Sequence, residues 1–207
     1  MPTAPDLHIE AIAFDLGNVL VAADHFRFCR PFAALTGLTP EEVYAAVFGS
    51  DLEPGYDTGR VSSPEFYQRV MTRFGVTLPY PQFCDLWNDI FEPLEDMEEV
   101  VTRLADRYPL YLLSNTNPLH FQYLQERYAL LLRHFRRLIL SYEVGSRKPE
   151  AGIFQALIRE VGRAPSHCLF VDDKLSFVEA ARTRGLVAWH FVSPQDFRGQ
   201  LTQHGLW

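Results

Sequence analysis

Residues 9–18 read IEAIAFDLGN and predict a buried strand that ends in a sharp turn. Apolar residues dominate this run up to Asp15, and Gly17 and Asn18, which favour turns, follow at once. Similar short apolar runs recur further along the chain, at residues 110–113, 138–140, 168–171 and 186–192. Most of them alternate with segments that carry apolar residues at helical spacing, at residues 94–107, 150–161 and 175–184. This alternation is typical of an α/β protein in which helices cover a parallel sheet.

The strand pattern disappears over residues 21–91, where the sequence is rich in aromatic residues and predicts helices instead. Two helix starts are clear, because a hydroxyl residue precedes a proline and a glutamate at Thr39 and again at Ser63. We therefore expect a discontinuous core made of residues 1–20 and 92–207. A small α-helical domain over residues 21–91 is expected to interrupt it.

The composition excludes several classes of function. The chain has 207 residues, of which 47% are hydrophobic, so it is long enough to bury a core without a metal or a disulfide. Its 26 acidic residues outnumber its 19 Lys and Arg residues and give a net charge of −7, which argues against binding to nucleic acid. The sequence also lacks an apolar run of about 18 to 20 residues, the length that a membrane helix needs.

The cysteines and the first residues indicate where the protein works. Cys29, Cys84 and Cys168 lie far apart and show no Cys-x-x-Cys spacing, a pattern that fits a reducing compartment better than a disulfide framework or a zinc site. The opening stretch MPTAPDLHIE lacks the basic and apolar regions of a secretory signal. We therefore expect a cytoplasmic protein without a membrane partner. Its scattered charge is compatible with a monomer or a homodimer.

Polar side chains stand at or just after the predicted strands, where ligands bind in open α/β sheets. These residues are Asp15, Ser114, Asn115, Lys148, Asp172 and Asp173. Because the carboxyl ends of parallel strands meet at one edge of a sheet, we expect a single crevice to collect all of them.

The chemistry of this set is that of phosphoryl transfer. Three carboxylates in one crevice repel one another unless a cation neutralises them, and hard oxygen ligands favour Mg²⁺, which we expect as the cofactor. A carboxylate beside Mg²⁺ can act as a nucleophile toward phosphorus. Lys148 and the hydroxyl of Ser114 would then hold phosphate oxygens and stabilise the charge of the transition state.

Four segments contain these residues: FDLGNVL at 14–20, LLSNTNPLH at 112–120, SYEVGSRKPEAGIF at 141–154 and FVDD at 170–173. In this order they resemble the four motifs of the haloacid dehalogenase superfamily. The resemblance implies a Rossmann-like three-layer core with a parallel sheet. The helical insert over residues 21–91 would then be the family's cap, which closes over the substrate and sets specificity.

The resemblance also implies a role for each matched residue. By this resemblance Asp15 would be the nucleophile that forms an aspartyl-phosphate. Asp15, Asp173 and the backbone carbonyl of Gly17 would be metal ligands, and Asp172 would flank the metal. The residues that contact the substrate phosphate are Ser114, Asn115 and Lys148.

The implied activity is Mg²⁺-dependent hydrolysis of small phosphate monoesters. The first motif resembles that of small bacterial sugar-phosphatase-like members, such as α-D-glucose-1-phosphate phosphatase. We therefore expect a small phosphorylated metabolite as the partner, with sugar phosphates leading the list of substrates.

Gly17 departs from the family pattern, since most of the phosphatases carry a second aspartate at this position. That aspartate donates a proton to the leaving oxygen, and losing such a group typically lowers the rate by about 10² to 10⁴. Three explanations stay open. The substrate has a good leaving group, as an anomeric sugar phosphate does; or another residue takes the role, of which Asp24 and His25 are nearest in sequence; or the protein binds phosphate compounds without turnover.

Two further segments leave alternatives open. Tyr56, Asp57 and Arg60 belong to a Gly-rich turn that either faces the active site or only connects two helices. After the fourth motif, Lys174 and Phe177 stand where relatives often have a small polar residue and an asparagine. Lys174 is either a solvated lysine or a contact of a carboxylate or the phosphate, and we expect Phe177 in the core.

Two other functions remain as alternatives. A 2-haloacid dehalogenase uses the same aspartate against carbon and needs no metal, but Asp172 and Asp173 would repel the carboxylate of a haloacid. A catalytically weakened protein that binds phosphate metabolites is suggested by Gly17, Lys174 and Phe177. The complete set of polar residues at the strand ends argues against it.

Overall fold

The computed structural model describes residues 7–207, so residues 1–6 of the predicted core lie outside the described residues. The strands are β1 (Ala11–Phe14), β2 (Val21–Ala23), β3 (Phe91–Pro93), β4 (Leu110–Ser114), β5 (Phe135–Leu140), β6 (Cys168–Asp172) and β7 (Val187–His190). The helices are α1 (Phe26–Thr36), α2 (Pro40–Val47), α3 (Leu52–Asp57), α4 (Ser63–Phe74), α5 (Tyr80–Asn88), α6 (Met97–Ala105), α7 (Pro118–Arg127), α8 (Ala129–Leu132), α9 (Ser141–Val144), α10 (Ala151–Val161), α11 (Leu175–Arg182) and α12 (Pro194–Gln203). Over residues 7–207, none of these helices combines the length and the apolar character that crossing a bilayer requires.

Five strands form one parallel sheet in the order β5-β4-β1-β6-β7. The central strand β1 pairs with β4 on one side, where Ile12 is opposite Leu110, and with β6 on the other, where Ile12 is opposite Leu169. All pairs in this sheet are parallel, so the carboxyl ends of the strands share one edge. The predicted α/β class with a parallel sheet is confirmed.

Helices cover both faces of the sheet and give a Rossmann-like three-layer core. Ile12 and Phe14 of β1 pack on one face in a cluster that includes residues of α6, α7 and α12. Ala11 and Ala13 pack on the other face with residues of α10 and α11. Both faces of the central strand are buried, which explains why its sequence is a nearly continuous apolar run.

The observed strands of the sheet, and helices α6, α10 and α11, begin and end within three residues of the predicted bounds. Strand β5 begins at Phe135, earlier than the apolar run at residues 138–140 suggests. Arg136 and Arg137 separate Phe135 from that run, and both are exposed. Charged residues are common on strands at the edge of a sheet, which is where β5 lies.

Helices α1 to α5 lie between β2 and β3 and have a hydrophobic cluster of their own. Its largest fully buried side chains are Phe28, Phe32, Tyr56, Phe66, Phe83 and Trp87. The expectation that strands are absent from residues 21–91 is wrong at both ends, because β2 and β3 pair antiparallel there. Each has only three residues, too few to show an alternating pattern.

The two predicted helix starts have different outcomes. Thr39 caps α2 with a complete capping box. Its side chain accepts from the backbone N–H of Glu42, and the Glu42 carboxylate accepts from the backbone N–H of Thr39. At the second start the cap is Ser62 and not Ser63, since the Ser62 hydroxyl accepts from Glu65 N at 3.4 Å. The spacing of three residues to the glutamate, as at Thr39, selects the earlier serine.

Candidate active site

The polar residues predicted at the strand ends meet at one edge of the sheet. Asp15 follows β1, Ser114 ends β4 and Asp173 follows β6. With Asn115, they line one wall of a cavity of about 270 Å³. The helical insert supplies another wall, formed by His25, Tyr44, Phe48, Glu53 and Asp57. The sheet edge and the insert therefore share one cavity.

Lys148 is fully buried and contacts two of the carboxylates. Its ammonium nitrogen lies 2.8 Å from Asp15 Oδ1 and 2.6 Å from Asp172 Oδ2. Burial by itself lowers the pKa of a lysine, but the two carboxylates outweigh burial and raise the pKa of Lys148 above its ordinary value. Lys148 therefore keeps its charge and neutralises part of the negative charge at the sheet edge.

Asn115 fixes the position of Lys148. Its side-chain Oδ1 accepts from the backbone N–H of Lys148 at 2.7 Å, and its Nδ2 donates to the backbone carbonyl of Lys148 at 3.0 Å. The neighbouring Ser114 is buried, and its hydroxyl lies 3.4 Å from the Asn115 carbonyl. The chain around Lys148 is thus held to the end of β4 by a reciprocal pair of hydrogen bonds.

The donor set at this edge fits a hard divalent cation. Carboxylate oxygens of Asp15, Asp172 and Asp173 lie within 4.8 Å of one another, and Gly17 lines the same cavity. Burial, together with the Asp15 carboxylate, raises the pKa of Asp173, as expected where negative charges crowd. Oxygen ligands with surplus negative charge are what Mg²⁺ prefers.

The three carboxylates are not equivalent as ligands. Both oxygens of Asp172 are engaged, Oδ2 with Lys148 and Oδ1 with the backbone N–H of Lys174 at 2.8 Å. Asp15 Oδ1 accepts from Lys148 and from the backbone N–H of Leu16 at 2.7 Å, and neither contact uses Oδ2. Asp15 and Asp173 are therefore better placed than Asp172 to bind a metal directly.

Asn18 was not predicted as a site residue from the sequence. It has a positive φ of 57°, a conformation that asparagine tolerates better than most residues. Its Oδ1 accepts from Ala23 N at 3.0 Å, and its Nδ2 lies 3.4 Å from Asp173 Oδ2. Asn18 thus ties the turn after β1 to the candidate metal ligand Asp173. Its place directly after Gly17 in a turn was the available signal.

Asp24 and His25 are the two candidates for the proton donor that Gly17 cannot supply, and the structure places them in different surroundings. Among the described residues, the cavity wall includes His25 but not Asp24. Asp24 accepts from the backbone N–H of Phe26 at 2.9 Å and lies 3.5 Å from Arg30, so it belongs to the start of α1. Burial lowers the pKa of His25 to about 4, and this imidazole is neutral at pH 7.

Two carboxylates of the insert face the cavity beside an arginine of the core. Arg147 lies 3.7 Å from both Glu53 Oε2 and Asp57 Oδ2. Burial, and then the Asp57 charge, raise the pKa of Glu53 to about 8; burial raises the pKa of Asp57 to about 6. The sequence reading singled out Asp57 but missed Glu53, which stands four residues earlier on the same face of α3.

The other residues of the Gly-rich turn lie elsewhere. Tyr56 is fully buried in the insert, and its hydroxyl lies 2.7 Å from Ser63 Oγ. Arg60 is exposed, and its guanidinium binds Thr58. Neither side chain belongs to the cavity wall of the described protein, so only Asp57 of the three candidates in this turn faces the site.

Lys174 and Phe177 both line the cavity. Lys174 is exposed and its ammonium lies 5.3 Å from the centre of the Phe177 ring. Phe177 lies on α11, is half-buried and packs against the hydrophobic cluster on that face of the sheet. The centre of its ring lies 5.2 Å from the ammonium nitrogen of Lys148. The expectation that Phe177 belongs to the core therefore describes only part of its role, since its ring also shields Lys148.

A buried polar network joins the insert to the core at the start of α7. Asn117 Oδ1 accepts from the backbone N–H of His120 at 3.1 Å and from Trp87 Nε1 at 3.3 Å. His120 Nε2 lies 2.9 Å from the Trp87 carbonyl, which can only accept, so Nε2 carries the proton and Nδ1 accepts from Asn117 Nδ2 at 3.1 Å. Asn117 Nδ2 also lies 3.4 Å from Asp57 Oδ1. Burial lowers the pKa of His120 to about 3, which keeps the ring neutral.

A family model of haloacid dehalogenase-like hydrolases matches residues 9–183. The chain belongs to this family. The expected membership of the haloacid dehalogenase superfamily, and with it the hydrolase class, is confirmed. The finer likeness to glucose-1-phosphate phosphatase stays a prediction.

Known proteins are similar to this chain over nearly their whole length. A D-ribitol-5-phosphate phosphatase of Bacteroides thetaiotaomicron is 26% identical over 200 residues, which cover 94% of this chain and 97% of that protein. A haloacid dehalogenase family enzyme of the same organism, solved also in complex with magnesium and inorganic phosphate, superposes with a TM-score of 0.85 at 24% identity, covering 93% of this chain and 98% of that one. A predicted hydrolase of the family from Porphyromonas gingivalis has a TM-score of 0.81 at 27% identity, with 95% and 97% covered.

Proposed function

We propose that this protein is a Mg²⁺-dependent phosphatase of small sugar phosphates that acts through an aspartyl-phosphate on Asp15. The placement of Asp15 carries the proposal. Asp15 Oδ1 contacts the ammonium of Lys148 and accepts from the backbone N–H of Leu16, and neither of these contacts involves Oδ2. Asp15 also lines the cavity that the insert and the sheet edge share. The phosphatase relative and the complex of a family enzyme with magnesium and inorganic phosphate support the same reaction.

The proposed reaction has two steps. The Asp15 carboxylate attacks phosphorus, and the bond between phosphorus and the sugar oxygen breaks as the new bond forms. The sugar oxygen keeps the electron pair, takes up a proton and leaves as a hydroxyl. Water then attacks the phosphorus of the aspartyl-phosphate, gives up a proton and displaces the Asp15 carboxylate, so that inorganic phosphate is released.

The proposed metal ligands are the carboxylates of Asp15 and Asp173 and the backbone carbonyl of Gly17. Asp172 flanks this set and holds Lys148 in place through its Oδ2. When bound, Mg²⁺ supplies the positive charge that allows an anionic phosphate to approach an anionic carboxylate.

We assign phosphate binding to Ser114, Asn115 and Lys148. Ser114 and Asn115 line the cavity at the end of β4, and Asn115 also fixes the backbone of Lys148. The charge of Lys148 stabilises the negative charge that develops on the phosphoryl group during transfer.

Helices α1 to α5, within residues 21–91, serve as the cap in this proposal. The cavity has walls from the insert and from the sheet edge, which supports the assignment. The insert also approaches the core closely at Gly59, where a Cβ atom would lie 2.3 Å from the carbonyl oxygen of Tyr142. The cap and the core thus approach each other closely at the turn that follows α3.

The glycine at position 17 favours substrates whose leaving oxygen is easily released. Asp24 accepts a hydrogen bond from the backbone at the start of α1. Burial lowers the pKa of His25 to about 4, so at pH 7 this imidazole is neutral and does not serve as a cationic proton donor. An anomeric oxygen is a better leaving group than an ordinary alcohol, so anomeric sugar phosphates are expected to react fastest.

The test is phosphate release from a panel that includes α-D-glucose 1-phosphate and D-ribitol 5-phosphate, with and without Mg²⁺. Release by the wild type is expected to need Mg²⁺ and to fall to background in Asp15→Asn, because an amide cannot form the acyl phosphate. Asp24→Asn is the matched control, since this carboxylate lies outside the cavity wall, and it is expected to keep the activity.

Three outcomes would contradict the proposal. Full activity in Asp15→Asn would show that Asp15 is not the nucleophile. Chloride release from a 2-haloacid without Mg²⁺ would favour the dehalogenase. Phosphate binding without turnover of any panel member would favour the binding protein suggested by Gly17.

A further inference from the structure

We propose that Glu53, Asp57 and Arg147 form the subsite that binds the hydroxyl groups of the substrate, so that this enzyme prefers monophosphates with an uncharged, polyhydroxylated remainder. The inference rests on the proposed phosphatase function and adds the part of the molecule that chooses the substrate. None of the three residues has a role in the proposed chemical steps.

The three side chains share the cavity with the reaction site but come from two different parts of the fold. Glu53 and Asp57 lie on one face of α3 in the insert, and Arg147 precedes Lys148 in the core. Their side chains are 18%, 5% and 22% exposed, so they are largely shielded from solvent while they line the cavity. A substrate whose phosphate lies at Asp15 therefore has these polar groups in the same enclosed space.

These groups are incompletely paired with one another. Arg147 lies 3.7 Å from each carboxylate, which is too far for a hydrogen bond. Asp57 Oδ1 has a long contact of 3.4 Å with Asn117 Nδ2. Polar groups that are shielded from water and incompletely paired favour a ligand that completes their hydrogen bonds.

Hydroxyl groups fit this arrangement because each can donate and accept. The carboxylate of Asp57 accepts from a hydroxyl, and the guanidinium of Arg147 donates to its oxygen. The raised pKa of Glu53, about 8, leaves a proton on this carboxyl at neutral pH, so Glu53 can also donate. Asp57 then balances the charge of Arg147, so these three side chains together carry no net positive charge for a second phosphate or carboxylate.

The test compares Glu53→Met with Glu53→Gln. Methionine has a similar length but cannot hydrogen-bond through its end, whereas the glutamine amide both donates and accepts. For each variant, kcat/KM is measured for D-ribitol 5-phosphate and for p-nitrophenyl phosphate, whose remainder has no hydroxyl group. Glu41→Met, an exposed glutamate on α2, is the matched control in the same domain.

We expect the ratio of kcat/KM values, D-ribitol 5-phosphate over p-nitrophenyl phosphate, to fall about tenfold in Glu53→Met, as for the loss of one hydrogen bond to the substrate. Glu53→Gln should keep most of the ratio, and Glu41→Met should leave it unchanged. Equal losses on both substrates would show that Glu53 only holds the cap against the core. Equal ratios in the methionine and glutamine variants would also overturn the assignment.

A binding measurement separates this inference from the proposed reaction. Isothermal titration of D-ribitol 5-phosphate into Asp15→Asn is compared with titration into Asp15→Asn/Glu53→Met. If the wild type shows no turnover but the second protein binds about tenfold more weakly, the phosphatase proposal fails and the subsite stands. If the wild type turns over the substrate and the two proteins bind equally well, the subsite assignment fails and the phosphatase proposal stands.

Discussion

The ammonium nitrogen of Lys148 lies 2.6 Å from Asp172 Oδ2, and both side chains are fully withdrawn from solvent. A buried pair of this kind does not need to add much to stability, because removing two charges from water costs about as much as their attraction returns. Removing one partner is different, since the other charge is left buried and uncompensated. The position of Lys148 between Asp172 and Asp15 therefore links the folding of the sheet edge to its chemistry.

Lys148→Met is expected to abolish phosphatase activity and to lower the free energy of unfolding by about 3–5 kcal/mol, the usual effect of breaking a buried ion pair. Urea unfolding followed by circular dichroism measures the change. Lys174→Met is the matched control, because Lys174 lines the same cavity but is exposed, and its effect on stability should stay within about 0.5 kcal/mol. Equal losses of stability in the two variants would contradict a special role for the buried pair.

Asp172 and Asp173 are adjacent in sequence, but their contacts predict different defects. Asp173→Asn removes a proposed metal ligand, so the Mg²⁺ concentration for half-maximal activity should rise by about 100-fold, and saturating Mg²⁺ should restore part of the rate. Asp172→Asn removes the partner of Lys148, so its loss of activity should persist at saturating Mg²⁺. Titration of activity with Mg²⁺ separates the two. Identical Mg²⁺ dependence in both variants would contradict the assignment.

The sequence was sufficient to predict the sheet and the polar residues that meet at its carboxyl edge, because both depend on local patterns. The apolar run that ends at Asp15 and the paired acids Asp172 and Asp173 are each visible within a few residues. Glu53 was missed for the opposite reason. A glutamate on a short helix has no pattern of its own, and only the packing of the insert against the core brings it near Arg147.

Gly59 shows how that packing depends on one residue. Its φ of +69° favours glycine, and a Cβ atom would lie 2.3 Å from the carbonyl oxygen of Tyr142 in the core. Gly59→Ala should therefore lose both stability and kcat/KM for sugar phosphates, since the turn that carries Asp57 must move away from the core. Gly75→Ala is the matched control, because its φ of +64° imposes a similar backbone cost with no atom within 4 Å.

For both glycine variants, the free energy of unfolding and kcat/KM are measured together. Gly75→Ala is expected to cost about 1 kcal/mol, the usual penalty for alanine in this conformation, with little change in kcat/KM. Gly59→Ala should cost more on both measures. If the two variants behaved alike, the close approach of the insert to Tyr142 would have no consequence for the site.

His120 gives the junction between insert and core a defined dependence on pH. Its pKa is about 3 in the folded protein and near 6.5 when it is unfolded, so between these values only the unfolded chain binds the proton. Acidification through pH 6.5 therefore stabilises the unfolded state, and the contribution of this histidine to stability is complete above pH 6.5 and decreases as the pH falls. One pH unit in this window changes the contribution by at most about 1.4 kcal/mol.

His120→Gln cannot titrate, so the difference in free energy of unfolding between wild type and variant isolates this effect. The wild-type advantage at pH 7 should shrink by as much as about 2 kcal/mol at pH 5, which lies 1.5 units below the unfolded pKa. Urea unfolding at pH 7, 6 and 5 gives the three differences. A constant difference across this range would mean that the ring accepts a proton in the folded state. In that case both ring nitrogens would carry a proton at low pH, and His120 Nδ1 would not be the acceptor of the Asn117 amide.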